Sequence, residues 1–80
     1  MTVSTRNVSK GGIIVNAKEI GQRLIKLRGN KTQEEVAKSL NISVSALSMY
    51  ERGERIPRDN IKIRIAEYYN TPIFEIFFAN

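Results

Sequence analysis

The 80-residue chain contains no cysteine, no histidine and no tryptophan, and only two prolines. Without cysteine there is no disulfide and no thiolate metal site. Without histidine, the commonest general base and metal ligand are missing. No glycine-rich phosphate loop is present, and no carboxylates are paired in a pocket-forming context. Enzymatic chemistry is therefore not expected, and neither is a metal or cofactor. No apolar run approaches the length of a membrane span. The patch Ile13-Ile14-Val15 is too short for the apolar core of a signal peptide.

Eighty residues suffice for one small domain with a thin core. The net charge of +5 and the sequence pI of about 9.9 favour a polyanionic partner and salt-sensitive association. Charge alone fits a plain basic protein equally well.

The most informative stretch runs from 32 to 53, TQEEVAKSLNISVSALSMYERG. It reads as two short helices, 33–40 and 44–52, joined by a tight turn. Thr32 is a good N-cap with Glu35 three residues on, which predicts a reciprocal capping box. Val36, Ala37 and Leu40 form one apolar stripe. Asn41 tolerates the left-handed conformation that ends a helix. Ile42 can plug the turn, and Ser43 is a second N-cap. Leu47 and Tyr50 face inward, and Gly53 stops the helix. A small residue at Ala37, a φ-tolerant one at Asn41 and a branched apolar one at Leu47 suit a close helix pair. That pair is either a helix-turn-helix or an αα-hairpin with no role at DNA.

The outer face of the second helix favours the former. Val44, Ser45, Ser48, Met49 and Arg52 share one side at helical spacing, and none of them is acidic. Ser45 and Ser48 can hydrogen-bond base edges or phosphates. Val44 and Met49 can touch a thymine methyl, and Arg52 can pair with a phosphate.

Gln33, Glu35, Ala37, Leu40, Ser43, Ser48, Tyr50, Glu51, Gly53 and Pro57 stand where regulators of the Cro/C1 (XRE) helix-turn-helix family place such residues. The chain resembles that family from about Ile20 to Phe78, most specifically over SALSMYERGERIP. The resemblance implies an all-α, compact five-helix, lambda-repressor-like domain over 16–80. Such a domain binds double-stranded operator DNA, usually as a two-fold homodimer, in the bacterial cytoplasm. It implies base reading by Val44, Ser45 and Met49, with Ser48 on the same face, and phosphate contact by Gln33 and Ser43. Arg55 and Arg58, in the loop ERIPR, would grip the backbone beside them; a merely solvated loop is the alternative. It also implies a buried basic partner for Glu51, supplied by Arg28 or Lys26, where the alternative is an exposed Glu51 near Arg52 and Arg55. The family often has Gly at the position of Asn41, and the Gly29-Asn30-Lys31 link is short.

The remaining segments read as follows. Residues 1–15 have the composition of a flexible arm, with Arg6 and Lys10 basic. Three readings compete. The arm tracks DNA, or Ile13 to Val15 pair as a strand in a dimer, or the arm lies upstream of a true start at Val15. The first helix, 16–28, is capped by Asn16 and buries Ile20, Leu24 and Leu27. Lys18, Gln22, Arg23 and Lys26 are expected to face out. Pro57 keeps the ERIPR loop out of a helix. A fourth helix, 59–69, turns Ile61, Ile65, Ala66 and Tyr69 inward. A fifth, 72–78, is expected to start with Thr71 as cap and Pro72 at the first position. It should bury Ile73, Ile76 and Phe77, leaving Phe74 and Phe78 partly outside. Those two rings, with Ile63, either build a dimer contact or finish the core.

The expected function is a sequence-specific DNA-binding transcriptional regulator, acting as a repressor. The alternative is a protein-interaction module of the same fold, an antitoxin or anti-repressor with a protein antagonist as partner.

Overall fold

The structure is a computed structural model in which residues 16–79 are described. The three readings of residues 1–15 lie outside that range. Five helices follow one another: α1 (Ala17–Arg28), α2 (Gln33–Leu40), α3 (Val44–Glu51), α4 (Asp59–Tyr68) and α5 (Ile73–Phe77), with no strand among the described residues.

Each helix contributes one apolar stripe to a single core. Ile20 and Leu24 come from α1, and Val36, Ala37 and Leu40 from α2. Leu47 and Tyr50 come from α3, Ile65 from α4, and Ile76 and Phe77 from α5. Each large aliphatic or aromatic side chain so buried stabilises the fold by roughly 1.5–3 kcal/mol. Helix α3 lies across α1 and beside α2, and α5 closes the other end against α1 and α4. No helix among the described residues is long and apolar enough to cross a membrane.

The helix ends are set by local chemistry. Asn16, Thr32 and Ser43 each accept a hydrogen bond from the backbone N–H three residues on. Asn41 adopts φ 59° and ψ 46°. Its N–H donates to the Lys38 carbonyl, and that of Ile42 donates to the Ala37 carbonyl. This Schellman turn satisfies the last carbonyls of α2. The same turn ends α3 at Gly53 (φ 76°) and α4 at Asn70 (φ 52°).

Several local expectations need correction. The capping box at Thr32 is half-formed: Glu35 N–H reaches the Thr32 hydroxyl, but no bond returns to the Glu35 carboxylate among the described residues. Helix α3 ends at Glu51, and Arg52 is its C-cap. Thr71 does not cap α5. Its hydroxyl donates back to the Tyr69 carbonyl, and Pro72 takes the cap position. Arg23 does not point into solvent. Its guanidinium donates to the carbonyls of Ile76 and Ala79, both at 2.8 Å, and ties α1 to the end of α5. A cation at a helix C-terminus is favourable because the exposed carbonyls carry partial negative charge.

Candidate nucleic-acid interface

Helix α3 separates two chemistries. On the core side, Leu47 and Tyr50 are buried, and so is Glu51, a residue only 4 % exposed. On the other side, Val44 and Ser45 are exposed, and Ser48 and Met49 are half-buried at the edge. Val44, 38 % exposed, is an apolar side chain turned to solvent at the start of the helix.

A buried carboxylate is costly unless it is paired and hydrogen-bonded. Glu51 meets both conditions. Arg28 donates to it through Nε at 2.8 Å and Nη2 at 3.1 Å, and Gln33 donates through Nε2 at 2.8 Å. Arg28 Nη1 also donates to the Lys31 carbonyl at 2.8 Å. The cation at Glu51 is therefore Arg28 and not Lys26, whose side chain is exposed. The hydrogen bond to Glu51, and then its negative charge, hold the Arg28 pKa above its ordinary value despite partial burial. One carboxylate thus joins the end of α1, the start of α2 and the end of α3, and so fixes the angle at which α3 is presented.

Gln33 spends one side-chain N–H on Glu51, which leaves the other free to donate. The Ser43 oxygen accepts from Ala46 N–H, and its own O–H remains a donor. Arg55 and Arg58 are exposed in the loop after α3 and have no carboxylate partner among the described residues. Arg52 is placed differently. Its guanidinium donates to both Glu54 carboxylate oxygens at 3.0 Å and to Ser48 Oγ at 2.9 Å. That contact holds the Arg52 pKa above and the Glu54 pKa below their ordinary values. At the far end of the domain, Ile63 is 50 % and Phe74 61 % exposed. The Phe74 and Phe78 rings lie 6.4 Å apart, and Phe78 packs partly on the core.

Sequence reasoning passed over two residues that shape this face. A Cβ at Gly21 would overlap the Glu51 carbonyl oxygen and come within 2.8 Å of that of Tyr50. Gly21 is where α1 and the end of α3 touch backbone to backbone. The available signal was a glycine inside an otherwise good helix, which commonly marks such an approach. Glu54 was the other. Its nearness to Arg52 was visible, but not the turn that brings the two together.

A short helix, a tight turn and a second helix that presents an outer face form the pattern of a helix-turn-helix. The helix-turn-helix family profile matches residues 22–76, and the chain belongs to that family, in its Cro/C1 (XRE) branch. Among solved structures it is similar to a LexA SOS-response transcriptional repressor from Eubacterium rectale. That match has a TM-score of 0.72 and 25% identity and covers 76% of this chain and 67% of that one. It is also similar to the restriction-modification controller protein C.AhdI from Aeromonas hydrophila, with a TM-score of 0.69 and 28% identity, over 76% of this chain and 96% of that one. The clp gene regulator ClgR of C. glutamicum shares the fold, with a TM-score of 0.69 and 20% identity, over 84% and 88% of the two chains. No curated protein matches the sequence. The family and the neighbours at 25% identity or more support a DNA-binding transcriptional regulator.

Proposed function

We propose that the protein is a sequence-specific repressor that binds a palindromic operator as a homodimer and blocks transcription sterically. Two copies of α3 would enter successive major grooves about 34 Å apart. Val44, Ser45, Ser48 and Met49 would face the base edges. Gln33, Ser43, Arg52, Arg55 and Arg58 would fix the register on phosphates. Small side chains form few bidentate bonds to bases, so DNA shape carries a share of the specificity. The observation that supports the reading best is the division of α3. Its inner side is anchored through Leu47, Tyr50 and the Arg28–Glu51 pair, while Val44 and Ser45 stay exposed.

The copies would meet through Ile63, Phe74 and Phe78. The exposure of Phe74 also favours a second reading, in which that surface takes a protein antagonist of different sequence.

Selection of binding sites from a random DNA pool tests the first reading: a palindromic consensus is expected. Ser45→Ala with Met49→Ala should change the selected bases, whereas Arg55→Ala should weaken all duplexes alike and reduce the salt dependence. A pool that yields no consensus removes base reading. Phe74→Lys should shift sedimentation of the folded protein from dimer to monomer. A wild type that already sediments as a monomer removes that dimer contact.

A further inference from the structure

We propose that Glu54 sets DNA affinity by competing with phosphate for the Arg52 guanidinium. The proposal rests on the DNA-binding reading above.

Arg52 stands at the end of α3, where a phosphate contact is expected, yet the Nε–Nη2 edge that best fits a phosphate is occupied. Both of its bonds end on Glu54, and Nη1 is held by Ser48. The carboxylate is not there by chance of a loose loop. Glu54 N–H donates to the Met49 carbonyl at 2.9 Å, and Gly53 turns the chain through φ 76°. That Schellman turn returns the Glu54 side chain to the helix end two residues after Arg52. The Gly53 backbone is itself seated on α1, since a Cβ there would lie 2.9 Å from Lys18 Cα. The backbone under the clasp is therefore part of the rigid body.

The consequences are electrostatic. Closed, the pair is neutral and its approach to DNA releases no counterion. A phosphate at the same edge also meets the carboxylate. Yet the Arg52 and Glu54 side chains are 57% and 54% exposed, so the pair is weak and can exchange on contact. The buried Arg28–Glu51 pair, with Glu51 at 3%, cannot. Arg55 and Arg58 have no such competitor among the described residues. Among the described arginines Arg52, Arg55 and Arg58, only Arg52 has a carboxylate beside it.

The test is a fluorescence-anisotropy titration of the full chain against a random-sequence duplex over a series of salt concentrations. The variants are Arg52→Met, its combinations with Glu54→Gln and with Glu67→Gln, and the single variants Glu54→Gln and Glu67→Gln. The last removes the same charge from an exposed site on α4. Circular dichroism checks that each is folded. Glu54→Gln should bind about two- to five-fold tighter than Glu67→Gln, the range of exposed ion pairs. Its salt slope should steepen by up to about 0.9, one phosphate's worth. In the Arg52→Met background the two Glu substitutions should become equivalent. A Glu54→Gln no tighter than Glu67→Gln overturns the competition. So does an advantage that survives Arg52→Met, and a weaker Glu54→Gln would make Glu54 a support for Arg52 instead. A wild type that binds no duplex at low salt removes the DNA-binding reading itself, and the competition with it.

Discussion

Replacing Arg28 by Met should unfold this domain more readily than any loss of surface charge would. Methionine keeps an apolar stem of similar reach, so the change isolates the charge and its hydrogen bonds. Glu51 accepts three hydrogen bonds, two from Arg28 and one from Gln33. Without Arg28 only the neutral Gln33 remains on a carboxylate that is 3% exposed. Breaking a fully buried pair from one side costs about 3–5 kcal/mol. Arg28 is 21% exposed, so water reaches the vacated edge. The loss should then be about 2–3 kcal/mol at neutral pH, or roughly 10–20 °C in Tm for a domain this small. Total stability for a chain of this length is only about 4–12 kcal/mol. Urea unfolding followed by far-UV circular dichroism measures the effect directly. Adding Glu51→Leu to Arg28→Met should restore most of the stability, because the stranded charge is gone. A loss under about 1 kcal/mol for Arg28→Met would refute the reasoning. A double variant no more stable than the single one would do so as well.

Gly21→Ala sets a helix-propensity gain of about 1 kcal/mol against a Cβ that overlaps backbone carbonyls of α3. Backbone cannot give way as a flexible side chain does, so a net loss of about 1–3 kcal/mol is expected in the same urea assay; a neutral result would mean that α1 and α3 separate freely. Tyr69→Phe should be neutral or slightly stabilising, since the buried Tyr69 hydroxyl has no hydrogen-bond partner among the described residues. Burial, then the charge of Glu51, pushes the Tyr69 pKa up to about 12. The unfolded chain therefore ionises first. The contribution is complete below pH 10, erodes between pH 10 and 12, and should be missing from the Tyr69→Phe stability profile over that window. Parallel alkaline profiles for the two proteins would contradict it.

The helices from 16 to 51 were legible because their signals are local. Asn16, Thr32 and Ser43 each sit one residue before a helix, and Asn41 and Gly53 sit where the chain turns left-handed. The stripes themselves located the core, from Ile20 through Leu47 to Phe77. The start of α5 was misread because Thr71-Pro72 suits a cap followed by a first-turn proline, while the turn at Asn70 directs the Thr71 hydroxyl backwards. Arg23 was misread for another reason. Its position on α1 is an outward one, but an arginine is long enough to reach carbonyls of an element more than fifty residues away. The identity of the Glu51 partner was undecidable between Arg28 and Lys26 because both lie on the last turn of α1. Only the packing of α1 on α3 settles which reaches.

The same difficulty limits what a charge count says about DNA binding. Several of the cations that make the chain basic are spent inside the fold. Arg23 closes the end of α5, and Arg64 donates to the Leu40 carbonyl at the end of α2. Arg28 neutralises Glu51. Lys62, with its side chain 12% exposed, lies 5.0 Å from the centre of the Phe78 ring and 3.6 Å from Asp59. Cations that cap helices or pair with carboxylates contribute to stability and little to the outer field. Among the described residues, Arg55 and Arg58 stand exposed after α3 with no carboxylate partner, and Arg52 is paired with Glu54. A small basic domain can therefore owe its DNA affinity to a few arginines around one helix, and a single carboxylate placed among them can tune it.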